Sequence, residues 1–222
     1  MIRASACALA LFPLFALSAQ DGEPRPKEPV APRAPEKAYW KVTTRYKSGA
    51  PTADGEQQKG KTAVRTVRKE KQLIQEIMER DGTRFESYIL GGLRLSDFGK
   101  KDTVVKVPPT DTRFPFYGDS DFARMGWLSM KHFKGVEEYK GRQVFVFRIS
   151  GDDPDAVVPG PAVIMLDTKT QLPVAYADEE LEETYEFMSP PSTAMVIPEV
   201  FQKRLVKELQ YIQDLRRASG GG

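Results

Sequence analysis

Cysteine and histidine are almost missing from this chain, each occurring once, as Cys7 and His132. Cys7 lies within Met1–Ala19, so the rest of the sequence has no thiol for a disulfide or a Cys/His zinc site. Ser–His and Cys–His nucleophilic machinery is not expected either, and His132, between Lys131 and Phe133, reads as a surface residue. No glycine loop fits a phosphate or dinucleotide fingerprint, since Gly91-Gly92 reads as a turn. A charge imbalance is lacking too: the formal net charge is +2 in 222 residues. Basic and acidic residues alternate rather than cluster, so nothing draws the chain to nucleic acid. Asp152-Asp153-Pro154-Asp155 lacks the spaced ligands, glycine and distal Glu of a calcium loop and reads as a solvated turn. Asp119 and Asp121 pair two carboxylates, but helix capping accounts for them without glycosidase chemistry. The expectation is a protein without cofactor or metal, and not an enzyme.

Long apolar runs are confined to the start. Arg3 precedes the uncharged stretch Ala8–Ala16, and Ala16-Leu17-Ser18-Ala19 offers small residues for cleavage. Residues 1–19 therefore read as a secretory signal peptide, too short for a transmembrane segment. Cys7 is followed by Ala-Leu-Ala-Leu, which is not the acylation site of a lipoprotein. The reading is a periplasmic or secreted protein held together by its core alone, for which about 200 residues suffice. Residues 20–38 carry five prolines among mixed charges and read as an extended, solvated linker. Residues 39–217 form one domain, and 218–222 a flexible tail.

The domain is rich in short β-branched and aromatic runs bounded by Gly, Pro and Asp, the mark of consecutive antiparallel strands. Tyr39–Tyr46 alternates, Thr62–Lys69 alternates weakly, and Phe85–Leu90, Leu93–Leu95 and Thr103–Val107 follow. Leu73, Ile74, Ile77 and Met78 have spacing that suits a helix, yet the turn Arg80–Thr83 and the strand after it favour a strand, and we read Glu70–Arg80 as strand. Val144–Ile149, Ala162–Leu166, Val174–Tyr176 and Thr184–Met188 complete the set, with Glu179–Glu183 as a charged hairpin tip that keeps an edge soluble. Asp121–Leu128 reads as a short helix turning Phe122, Met125 and Trp127 inward. Phe201, Leu205, Leu209 and Ile212 recur at helical spacing between Pro198 and Arg217. The fold class is mainly antiparallel β (α+β). Nine to ten strands form a strongly curved sheet or half-barrel, wrapped around the long C-terminal helix and accompanied by one short helix.

Gly135-Val136-Glu137-Glu138-Tyr139-Lys140-Gly141-Arg142, the strand after it, an apolar strand ending in Asp167, the turn Lys169-Thr170-x-Leu172-Pro173 and a strand ending near Tyr185-Glu186-Phe187 together resemble the outer-membrane lipoprotein-sorting proteins. These are the LolA-like superfamily, with the related RseB-type sensor domains. The resemblance covers about Trp127–Pro198 through turn chemistry, and Tyr39–Val107 through architecture. It implies a half-barrel whose hydrophobic cavity holds acyl chains, with a lipid or lipoprotein as ligand. Trp40, Val42, Tyr46, Phe145, Phe147, Ile164, Tyr185, Phe201 and Leu205 are the residues expected to line it or to plug it. The chain departs from the family by ending in the long helix. The alternative is an envelope structural or protein-interaction module with no ligand cavity; the residues name no protein partner.

Overall fold

A computed structural model describes residues 24–47, 60–80, 82–99, 103–108, 120–153 and 160–219. Residues 1–19, read as a signal peptide, the loop 48–59, Asp119, part of the Asp152–Asp155 turn and residues 220–222 lie outside the described residues, while 218 and 219 of the expected tail are helical. The first half of the chain supplies β1 (Lys37–Tyr46), β2 (Thr62–Glu70), β3 (Leu73–Arg80), β4 (Thr83–Leu90), β5 (Leu93–Ser96) and β6 (Val105–Val107). The second supplies β7 (Phe133–Tyr139), β8 (Arg142–Ile149), β9 (Ala162–Asp167), β10 (Pro173–Ala177), β11 (Leu181–Met188) and the helix α1 (Glu199–Ser219). All eleven strands make one curved antiparallel sheet in the order β6-β5-β4-β3-β2-β1-β11-β10-β9-β8-β7. Two meanders are thus joined through their first and last strands, with Val42 opposite Tyr185 and Thr44 opposite Glu183.

Turn chemistry fixes the registers. Gly91 and Gly92 both have positive φ, 55° and 82°, which lets two residues reverse β4 into β5. Asp167 organises the β9–β10 turn: its Oδ1 accepts from the N–H groups of Lys169 (3.0 Å) and Thr170 (2.9 Å) and from Thr170 Oγ1 (3.1 Å). Leu73–Arg80 is a strand, as read, because pairing on both sides with β2 and β4 outweighs its helical spacing.

The placement of what covers the sheet differs from expectation. Alternation puts Trp40, Val42, Val67, Ile74, Ile89, Phe145, Phe147, Ile164, Leu166 and Tyr185 on one face, which we call inner, and all belong to the main core. Tyr88, Leu95, Leu73 and Leu93 project from the opposite, outer face, and it is there that α1 packs. Phe201, 3% exposed, meets Tyr88 edge-on at 4.7 Å, and Lys106 reaches Glu208 at 3.6 Å. The sheet therefore does not wrap around the helix. The expected stripe also runs past the sheet: Leu205 and Ile212 are half-buried, and Leu209 is 42% exposed.

The inner face is covered by two irregular segments. The chain must travel from edge strand β6 to the opposite edge strand β7, and residues 120–128 make part of that crossing over the inner face. They form bends and turns rather than the expected helix, since Arg124 has φ 65°, which no α-helix accommodates. Phe122, Met125, Trp127 and Leu128 are nonetheless buried in the core, as their spacing suggests. Beside them runs the proline-rich segment, read as solvated; here Val30 and Ala34 are core residues. Proline removes donors but not carbonyls, and those of Pro32 and Ala34 accept from Ser120 Oγ (2.8 Å) and Lys69 Nζ (2.9 Å).

Candidate functional site

The inner face has an aromatic floor and an ionic end. On the floor, Phe122 of the crossing lies tilted against Trp40 at 5.0 Å and meets Phe187 and Tyr185 edge-on at 5.9 and 6.1 Å. Phe133 closes the β7 side, 5.6 Å from Phe147 and 5.9 Å from Phe145. Six of the nine residues expected at a ligand site, Trp40, Val42, Phe145, Phe147, Ile164 and Tyr185, meet on this floor, and Tyr46 packs half-buried at its margin. Phe201 and Leu205 do not join them, being on the outer face. Among the described residues the void between α1 and the sheet is about 10 Å³, room for one water at most.

The ionic end was not anticipated. Glu183, read as part of a solvated hairpin tip, is 1% exposed, because alternation from Tyr185 turns it inward. Its Oε1 accepts from Arg124 Nη1 (3.0 Å), Thr44 Oγ1 (3.2 Å) and Arg65 Nη2 (3.5 Å), and its Oε2 from the Tyr185 hydroxyl (2.8 Å). Arg65 lies 3.9 Å from Glu76, whose Oε2 accepts from Arg94 Nη2 at 3.1 Å. Burial alone would raise the Glu183 carboxyl, but the Arg65 and Arg124 guanidiniums and the two hydroxyl donors hold it below the ordinary carboxylate range. The Tyr185 hydroxyl is pushed well up, by burial first and then by Glu183, and so remains a donor. Tyr176 is raised likewise by burial and by its 2.7 Å bond to Asp178. The signal left unread was Ala63-Val64-Arg65-Thr66-Val67, an arginine at an inward position of an alternating strand.

The crossing is tied down at both ends of Phe122. Arg124 holds Glu183, and Asp121 accepts from Lys69 Nζ (2.7 Å) and the Ala34 N–H (2.9 Å). Asp121 thus binds a neighbouring segment and caps no helix. His132, read as a surface residue, is buried at 3% exposure against Trp127. Among the described residues no His, Cys, Asp or Glu group is placed to hold a metal ion, and no helix is long and apolar enough to cross a membrane.

No family model matches the sequence, and no curated protein does. Three solved structures are similar. One is a domain described as an outer membrane lipoprotein-sorting protein from Vibrio parahaemolyticus, at 13% identity and TM-score 0.38, covering 77% of this chain and 91% of the other. A LolA superfamily protein from Nitrosomonas europaea has 8% identity and TM-score 0.39, covering 75% and 91%. A DUF1329 family protein from Desulfovibrio piger has 8% identity and TM-score 0.36, covering 72% and 88%.

Proposed function

We propose that this chain is an exported, non-catalytic binding protein that takes a hydrophobic ligand, an acyl chain of a lipid or lipoprotein, onto the aromatic floor beneath the crossing segment. The observation that carries this is the cover itself. An aromatic floor is closed by an irregular segment, held by two ionic ties and four apolar side chains, where a helix or second sheet is the usual solution. Replacing Phe122, Met125, Trp127 and Leu128 forfeits roughly 6–12 kcal/mol at about 1.5–3 kcal/mol per side chain. A dozen methylenes return on the order of 10 kcal/mol at about 0.8 kcal/mol each. Exchange of crossing for ligand is therefore close to balance, as a carrier that must also release its load requires.

The second reading, an envelope interaction module with a closed core, is favoured by one observation: Phe122 and Met125 are fully buried and fill the floor. Mass spectrometry of organic extracts from the purified mature protein separates the two. An acyl-bearing molecule near one per chain is the expected result; clean extracts, together with no uptake of fatty acid by the delipidated protein, refute the binding proposal.

A further inference from the structure

The lone histidine belongs to neither the floor nor the ionic end. It ends a single 3₁₀ turn, Met130–His132, with Ser129 Oγ 3.1 Å from its Nδ1. With Nδ1 facing the Ser129 hydroxyl, Nε2 is the other ring nitrogen to be accounted for. Nε2 is buried and faces Asp153 Oδ2 at 3.4 Å, yet makes no hydrogen bond among the described residues. A buried ring nitrogen that makes no hydrogen bond is uncommon in a folded chain.

Beside it, where the start of β7, the end of β8 and the start of β9 meet, lies an open recess of about 400 Å³ with His132 in its wall. Among the described residues Lys131, Lys134 and Arg148 also line it, and Asp153 is the one acid. Asp153 is engaged by Lys131 at 3.3 Å, and Arg148 reaches Glu137 at 3.2 Å with both side chains about half exposed. Lys134 has no ion pair among the described residues. Pro161, Ala162 and Val163 make the remaining surface apolar.

We propose that this recess is an anion site for a phosphate ester. Lys134 and Arg148 supply charge, and the His132 ring stands in the wall beneath them. A phosphate suits the place better than a carboxylate, because several oxygens can accept from several donors at once and the volume exceeds what a carboxylate fills. The ester's organic part then lies against Pro161 and Val163. The site is remote from the aromatic floor in its chemistry, and the proposal does not rest on the acyl-binding reading.

His132 is the sole histidine, so its imidazole signals in NMR report on this site alone. The full chain is titrated with glycerol 3-phosphate and with inorganic phosphate, against potassium chloride at matched ionic strength. In parallel it is sedimented with vesicles of phosphatidylglycerol and of phosphatidylcholine. The expected result is a saturable shift of the His132 signals, weakened about tenfold or more in Lys134→Glu, with Arg148→Gln as a second variant and native signal dispersion as the check on folding. A Lys134-dependent response to soluble esters alone identifies a small phosphate ester. Lys134-dependent sedimentation with phosphatidylglycerol alone identifies a lipid headgroup. The proposal is overturned if the shift follows ionic strength in chloride equally, or if both variants titrate and sediment like the parent.

Discussion

Glu183 occupies an inward position on β11 between Leu181 and Tyr185, where an apolar side chain would be expected, and it is tolerated only because four donors converge on it. Glu183→Gln keeps the shape but removes the charge opposite Arg65 and Arg124. Breaking a buried pair on one side leaves uncompensated charge, so the variant should lose about 3–5 kcal/mol of unfolding free energy in urea. The pH dependence has a definite sign. A carboxyl whose folded value is depressed contributes stability that is fully present above its unfolded value, about 4.3, and that is lost as pH falls through the folded value. Urea midpoints of the parent should therefore fall with acidification below about pH 4.5, and this part of the slope should be missing in Glu183→Gln. An identical acid profile in the two proteins would remove Glu183 from the account. Asp167 makes a contrasting case. Its partly exposed carboxyl serves three local donors, so Asp167→Ala should cost about 1–2 kcal/mol without changing the β9–β10 register, which Leu166 and Ile164 hold from the core.

At the scale of elements, strands were legible and covers were not. Period-two alternation gave β1, β2 and β8–β10 nearly to their ends, whereas β11 begins at Leu181, inside the expected tip, and the β2–β3 turn at Lys71, with φ 55°, lay inside the expected strand Glu70–Arg80. The helix was legible as a helix, yet its stripe carries no label for the face it covers. Both faces of β4 offer apolar side chains, Ile89 on one and Tyr88, beside Leu95 of β5, on the other, so sequence alone leaves that choice open. The ionic end was hidden for a related reason: Arg65, Glu76 and Arg94 read like solvated strand charges until register brings them onto one face. The proline-rich segment was misjudged because composition reports missing donors and says nothing of the carbonyls that Ser120 and Lys69 find. The observed position of α1 changes what its removal should do. Truncation before Pro198 uncovers Tyr88 and Leu95 but leaves the inner-face core untouched. Hydrogen-exchange protection should fall selectively in β4–β6 while β1 and β8–β11 stay protected and unfold cooperatively. Uniform loss of protection would show that α1 is integral to the whole core.

For the molecule as a whole, topology dictates the cover. A sheet built from two sequential meanders leaves β6 and β7 at opposite edges, so the connection between them has to cross a face, and it crosses the aromatic one. That crossing has few backbone bonds of its own; its hold comes from Phe122 on Trp40, Arg124 on Glu183 and Asp121 on Lys69. If it is an exchangeable cover, weakening either kind of hold should ease ligand entry. Phe122→Ala removes the ring seated against Trp40, and should lower stability by about 3–5 kcal/mol while strengthening uptake of a fluorescent fatty acid. Arg124→Gln releases one tie and leaves Glu183 with Arg65, so its stability loss should be smaller. Each 1.4 kcal/mol no longer needed to lift the crossing should appear as about a tenfold gain in affinity. The two variants discriminate because they share no contact: a gain in both ties uptake to the crossing and not to one side chain. Should both lose stability and neither gain affinity, the crossing is permanent core, and the closed interaction module becomes the function that fits.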